Sequence, residues 1–138
     1  MDPILALEEP SLQVEPGAER RTRLAVRNGG DQVERYRFEV LGDAARWAQL
    51  EPRQLAVPPD GQDRPVEVVF RPPHAVATPP VNVPFAVRAY SLAHRDRTAV
   101  VEGDLLVTAV PEPSAWAAVL LGGGILGVAL RRRSTMRF

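Results

Sequence analysis

Cysteine and lysine are both missing from the chain. Without cysteine there is no disulfide framework, no thiolate metal site and no cysteine nucleophile. All 17 basic residues are therefore arginine, against 17 acids. A GC-rich genome is the simplest source of that bias. The even balance conceals two unlike parts. Residues 1–110 hold 13 arginines against 16 acids, a formal charge of −3, while residues 111–138 hold four arginines against one acid, or +3. No basic stripe runs through the first part, which argues against nucleic acid as a partner.

Other signatures are absent too. A secretory signal needs a basic start and roughly 7–15 apolar residues. Here Asp2 and Pro3 come first, and the apolar run is only Ile4 to Leu7. The chain as written shows no signal peptide. There is no Gly-x-Ser-x-Gly elbow and no phosphate-binding loop. Gly122, Gly123 and Gly124 follow Leu120-Leu121 and lack the lysine and strand–helix setting of a nucleotide loop. His74 and His94 are the only histidines, both in loop sequence, and Asp96 supplies no third ligand at fitting spacing. Asp60, Asp63 and Glu67 match no calcium-loop order. These residues predict no catalytic site, no metal and no cofactor, hence a protein that is not an enzyme.

What remains is strand chemistry. The 14 prolines disfavour long helices, and period-2 alternation recurs from about residue 12 to 110. Leu24 and Val26, then Tyr36, Phe38 and Val40, then Val66, Val68 and Phe70, then Phe85 and Val87, then Leu105 and Val107 each share a parity, with arginine, glutamate or alanine between in most rows. Val69 breaks the third row. Such rows mark half-buried antiparallel strands. Turn residues separate them: Glu15-Pro16-Gly17, Asn28-Gly29-Gly30-Asp31 (whose residues tolerate positive φ), Pro58-Pro59-Asp60-Gly61, Pro72-Pro73 and Pro79-Pro80. Runs near 11–14, 22–27, 34–41, 53–57, 65–71, 84–91 and 98–109 predict a seven-stranded immunoglobulin-like β-sandwich over residues 8–110, preceded by an N-terminal arm, residues 1–7. Ala44 to Ala48 predicts a helical turn that sets Trp47 on one end of the core. Arg20, Arg21, Arg23, Arg27, Arg35 and Arg37 are expected on the outer side of two neighbouring strands, with Glu19, Glu34 and Glu39 interleaved as ion pairs. An anionic polysaccharide surface is the sharper alternative.

Leu12 to Pro16-Gly17, Val26-Arg27-Asn28, Val33 to Leu41-Gly42, Trp47 with Glu51-Pro52, Val69-Phe70-Arg71-Pro72-Pro73 and Val83 to Arg88 are similar to Ig-like modules of actinobacterial proteins labelled "hydrolytic protein". The resemblance covers residues 7–107 and implies a sandwich fold with an accessory role, and it brings no catalytic residues.

Residues 115–130 contain no charge. As a helix they reach roughly 24 Å, short of the roughly 30 Å hydrocarbon core. The segment has no amphipathic face, Trp116 stands at its entry, and Leu120, Leu121, Ile125, Leu126 and Leu130 supply its bulk. Arg131, Arg132 and Arg133 follow at once, a basic stop that can snorkel to headgroups. The expectation is a single C-terminal transmembrane helix with a basic cytoplasmic tail, residues 131–138. Pro111-Glu112-Pro113 within residues 111–114, an apolar helix and an arginine cluster in that order resemble a PEP-CTERM sorting tail. That resemblance implies export, tethering and processing near Pro111, Glu112 and Pro113 by an exosortase. The expected function is a membrane-tethered or surface-sorted module for adhesion or extracellular matrix association, located at the membrane with the sandwich on the cell surface or periplasmic side. Its partners would be the membrane, an exosortase and a protein or polysaccharide ligand. The rival expectation is an intracellular, tail-anchored accessory module that binds a protein.

Overall fold

Alternating exposure along the chain follows the alternating sequence. Residues 20–27 hide Thr22, Leu24 and Val26 and expose Arg21, Arg23 and Arg27. The structure, a computed structural model, describes residues 2–74 and 79–109. Almost all of these belong to one compact unit, Met1–His74 with Pro80–Thr108; residues 75–79 and 109–138 make up a second. The expected transmembrane helix, the expected sorting motif and the expected basic tail lie outside the described residues. Among the described residues no helix is long and apolar enough to cross a membrane.

Among the described residues nine strands form, not the expected seven: β1 Ile4–Leu7, β2 Ser11–Val14, β3 Arg20–Arg27, β4 Glu34–Leu41, β5 Ala48–Glu51, β6 Gln54–Val57, β7 Arg64–Phe70, β8 Val81–Ser91 and β9 Thr98–Val107. They build two sheets, β1-β3-β7-β5 and β2-β9-β8-β4-β6. The two unexpected strands, β1 and β5, have four residues each, as do β2 and β6, which the sequence marked; β1 and β5 are defined by their pairing with β3 and β7. Residues 1–7 are thus not a free arm, because Ile4 to Leu7 pair with Arg27 to Leu24 of β3. Nor is the pairing wholly antiparallel. β2 runs parallel to β9, with Leu12 opposite Leu105 and Val14 opposite Val107.

The parallel pair arises because the N-terminal segment changes sheets at Pro10. The Pro10 carbonyl accepts a hydrogen bond from the Asp104 amide at 2.8 Å, and Val14 O accepts one from the Thr108 amide at 2.9 Å. Gly103 permits the crossing. A Cβ there would stand 2.5 Å from Pro10 O and 2.6 Å from the Phe85 ring, closer than packed atoms tolerate.

Between the sheets lies one core. Leu24, Val26, Tyr36, Phe38, Val68, Phe70, Phe85 and Val87 are all buried in it, as their parity predicts. Val40 is only half-buried, at its rim. Phe70 of the first sheet meets Phe85 of the second with ring centroids 4.8 Å apart and tilted by 55°; such tilted aromatic pairs add to simple area burial. The turn expected at Ala44 is a 3₁₀-helix, Asp43–Trp47, and it packs Trp47 against the core. Positive φ falls at Gly17, Gly42 and Gly61 and not in the Asn28–Asp31 turn, where side-chain bonds of Asn28 shape the loop instead.

Candidate functional site

The arginines expected on two neighbouring strands are divided between opposite faces, because β3 and β4 belong to different sheets. On the outer face of the β1-β3-β7-β5 sheet they are neutralised. Arg23 pairs with Glu67 at 3.2 Å and Glu8 at 4.0 Å, and Arg21 with Glu19 at 2.7 Å, Glu67 at 3.6 Å and Glu51 at 3.8 Å. Glu19 also takes Arg71, at 2.9 Å. The arginines on both sides hold the Glu19 carboxyl below the ordinary carboxylate range, Arg21 contributing most. Val69, whose β-partners are Arg21 and Gln49, is buried outside the core proper. The aliphatic stems of this lattice are what can cover it. Asp60 and Asp63 bond to Arg64 at 2.6 Å and Arg27 at 3.0 Å, so both acids serve as arginine partners. Among the described residues no three His, Asp or Glu side chains group as a metal site.

Glu34 is the acid that sequence misplaced. Assigned to the outer ladder, it instead shares the inward parity of Tyr36 and Phe38 and is buried. That parity was the signal, and the charge concealed it. Its carboxylate accepts from Arg97 Nη1 at 2.7 Å and from Ser91 Oγ at 3.1 and 3.3 Å. Ser91 Oγ in turn accepts from the His94 amide at 3.2 Å. Burial alone would push the Glu34 carboxyl up; the Arg97 guanidinium and Ser91 hydroxyl outweigh it and hold the group below its ordinary value. Two residues along β4, Tyr36 is fully buried, and burial followed by the Glu34 charge raises its phenol.

Around this clasp lies a polar cleft of about 480 Å³ lined by residues 28–32, Glu34, His94 and Arg97. Asn28 shapes its wall, donating to Gln32 O at 2.7 Å and Val57 O at 2.8 Å and accepting from the Gly30 amide at 2.9 Å. Ser91 is fully buried with its hydroxyl directed at a carboxylate that stays ionised. The arrangement ties the 28–33 and 92–97 loops together, and both histidines stand exposed in their loops.

The outer face of the other sheet is different. Arg88 and Arg95 both lie over the Tyr90 ring, each with Cζ 5.5 Å from its centroid. With Thr98 they line a hollow of about 200 Å³. Arg88 also pairs with Glu39. Arg35, Arg37 and Arg95 form no ion pair among the described residues.

Residues 109–133 match the PEP-CTERM protein-sorting motif. The match contains Pro111, Glu112 and Pro113, the apolar segment with Trp116, and Arg131 to Arg133. No curated protein matches the chain, and the resemblance of residues 7–107 to actinobacterial modules finds no counterpart in these comparisons. Similar solved structures include the ASH/PapD-like domain 7 of human CEP192, at 12% identity over 77% of this chain and 84% of that one, with a TM-score of 0.51. The E. coli chaperone DraB aligns at 15% identity over 80% of this chain, with a TM-score of 0.52. A mutant SrpA adhesin from Streptococcus sanguinis aligns at 13% identity over 78%, with a TM-score of 0.51. The chain spans 56% and 55% of those last two proteins. At such identities the likeness is one of fold: an all-β, PapD-like, immunoglobulin-like sandwich of two sheets ahead of a C-terminal PEP-CTERM sorting motif.

Proposed function

We propose that this chain is a non-enzymatic Ig-like module, exported, held at the membrane by residues 115–130 and sorted to the cell surface for adhesion or matrix association. One observation carries it: the PEP-CTERM motif spans residues 109–133, immediately after the last strand of the sandwich. Pro111 and Pro113 fix an extended backbone around Glu112, a form that a membrane-embedded exosortase can grip and process. Residues 115–130 then serve as the anchor, and Arg131 to Arg133 stay on the cytoplasmic side by the positive-inside rule.

The test compares the full chain with a 1–110 truncation, both carrying a supplied secretion signal, in a host that has an exosortase. The full chain is expected in the carbonate-resistant membrane fraction, with a trimmed form alongside, and the truncation is expected in the soluble fraction. Replacing Pro111-Glu112-Pro113 by alanines should leave membrane association intact and abolish trimming. Carbonate extraction of the full chain, or trimming that ignores the triple substitution, would overturn the assignment.

A further inference from the structure

The two outer faces of the sandwich handle the same residue type in opposite ways. On the β1-β3-β7-β5 face Arg21, Arg23 and Arg27 are each bonded to carboxylates. On the β2-β9-β8-β4-β6 face Arg35, Arg37 and Arg95 have no carboxylate partner among the described residues, and Arg88 has one, Glu39. Strand register brings them together. Arg37 lies opposite Tyr90, and Tyr90 opposite Thr98, so these three form one row across β4, β8 and β9. At roughly 4.8 Å between strands, that row measures about 10 Å. Arg35 stands about 6.7 Å along β4 from Arg37, on the same face. Arg88 and Arg95 each place Cζ 5.5 Å from the Tyr90 ring centroid.

The ring matters because it restrains without neutralising. A guanidinium over a tyrosine face is held by the ring quadrupole, yet keeps its charge and most of its N–H donors. Arg88 Nε is buried and has no acceptor among the described residues. Two guanidiniums and the Tyr90 phenol around about 200 Å³ suit an oxygen acid group in size and polarity, with Thr98, whose hydroxyl donates to Ala89 O at 3.0 Å, completing the wall.

We propose that the hollow formed by Arg88, Tyr90, Arg95 and Thr98, with Arg37 and Arg35 beside it, binds the carboxylate groups of an acidic polysaccharide. Charge decides among polyanions. Residues 1–110 carry −3 overall, from 13 arginines and 16 acids, so the domain as a whole opposes a densely charged polyanion, and this patch is where arginines lack carboxylate partners among the described residues. A sugar chain with spaced carboxylates meets the patch and incurs little of that repulsion, unlike nucleic acid or a continuous anionic bilayer. The face is a broad, flat sheet surface, which suits a chain lying across the strands. The site rests on the proposed surface location only in that the polymer must reach it; its geometry stands independently.

The experiment uses the full chain in neutral detergent, with labelled polygalacturonate as probe and neutral dextran as control. Polygalacturonate should bind and dextran should not, with affinity falling as salt rises. The double variant Arg37→Gln/Arg95→Gln should bind roughly tenfold more weakly or worse, as expected for lost hydrogen bonds to charged groups, while melting at the wild-type temperature. Arg23→Gln, on the opposite face, should bind within about twofold of wild type, since its partners lie within the lattice. Absence of polygalacturonate binding, unchanged affinity in the double variant, an equal loss in Arg23→Gln, or tighter binding to single-stranded DNA or anionic vesicles would overturn the proposal. Membrane partition and trimming of the same variants are read separately. A chain that binds the polymer but is neither anchored nor trimmed refutes the sorting assignment alone.

Discussion

At the scale of single residues, the most informative side chain is a carboxylate in the wrong place for its charge. Glu34 is buried, and its ionised form is kept by Arg97 and Ser91. A carboxyl whose folded value lies below its unfolded one adds stability at neutral pH and loses it as the pH falls through the folded value. Denaturant midpoints of wild type should therefore drop between neutral pH and about pH 3, and Glu34→Gln should show a smaller drop from a lower neutral starting point. Equal acid sensitivity in both proteins would detach Glu34 from the effect. Glu19 and Asp60 are shifted in the same direction, but they face water, where screening leaves little of such shifts in stability. Residue parity made most of the core legible, because Leu24, Phe38, Phe70 and Phe85 repeat every second position and have no other way to leave water. Parity was equally present at Glu34. The habit of sending charges outward concealed it, and the partners that make burial tolerable, Ser91 and Arg97, lie 57 and 63 residues away. Sequence spacing does not display such a partnership.

At the scale of elements, the long strands were visible, and of the four short ones β2 and β6 were visible while β1 and β5 were not. β4, β8 and β9 have eight, eleven and ten residues, enough to repeat a pattern several times. β1 and β5 repeat it at most twice and depend for their identity on β3 and β7 beside them. Sheet membership was also beyond reach, so a row of arginines that looked continuous became one neutral lattice and one positive patch. The crossing at Pro10 supplies a clean test of how β1 and β2 are attached. Gly103→Ala should destabilise by about 1–3 kcal/mol, because the new methyl meets a backbone carbonyl and an aromatic ring rather than a yielding surface chain. Chemical denaturation measures it. A stability equal to wild type would mean that the N-terminal segment does not lie across Gly103 in solution.

At the scale of the whole molecule, a folded sandwich and a sorting motif share one chain with little between them. β9 ends at Val107, and the motif begins at residue 109. One arginine introduced at Val119 or Ile125 should weaken membrane insertion by roughly 2.5–3.5 kcal/mol, read as a shift from the membrane to the soluble fraction, with the melting temperature of the sandwich unchanged. Retention of the variant in the membrane at wild-type levels would mean that residues 115–130 are not what holds the chain. The parallel pairing of β2 with β9 has a mechanical consequence. With residues 115–130 as the proposed tether, tension at the C-terminal end pulls on β9, and a load at the N-terminal side, once it has drawn β1 off β3, pulls on β2 in the opposite sense. Two parallel strands drawn apart in that way slide along their length. Their hydrogen bonds, bracketed by Asp104 to Pro10 and Thr108 to Val14, must then fail together and not one after another like a zipper. The stretch of chain next to the proposed anchor is then also the one that bears shear.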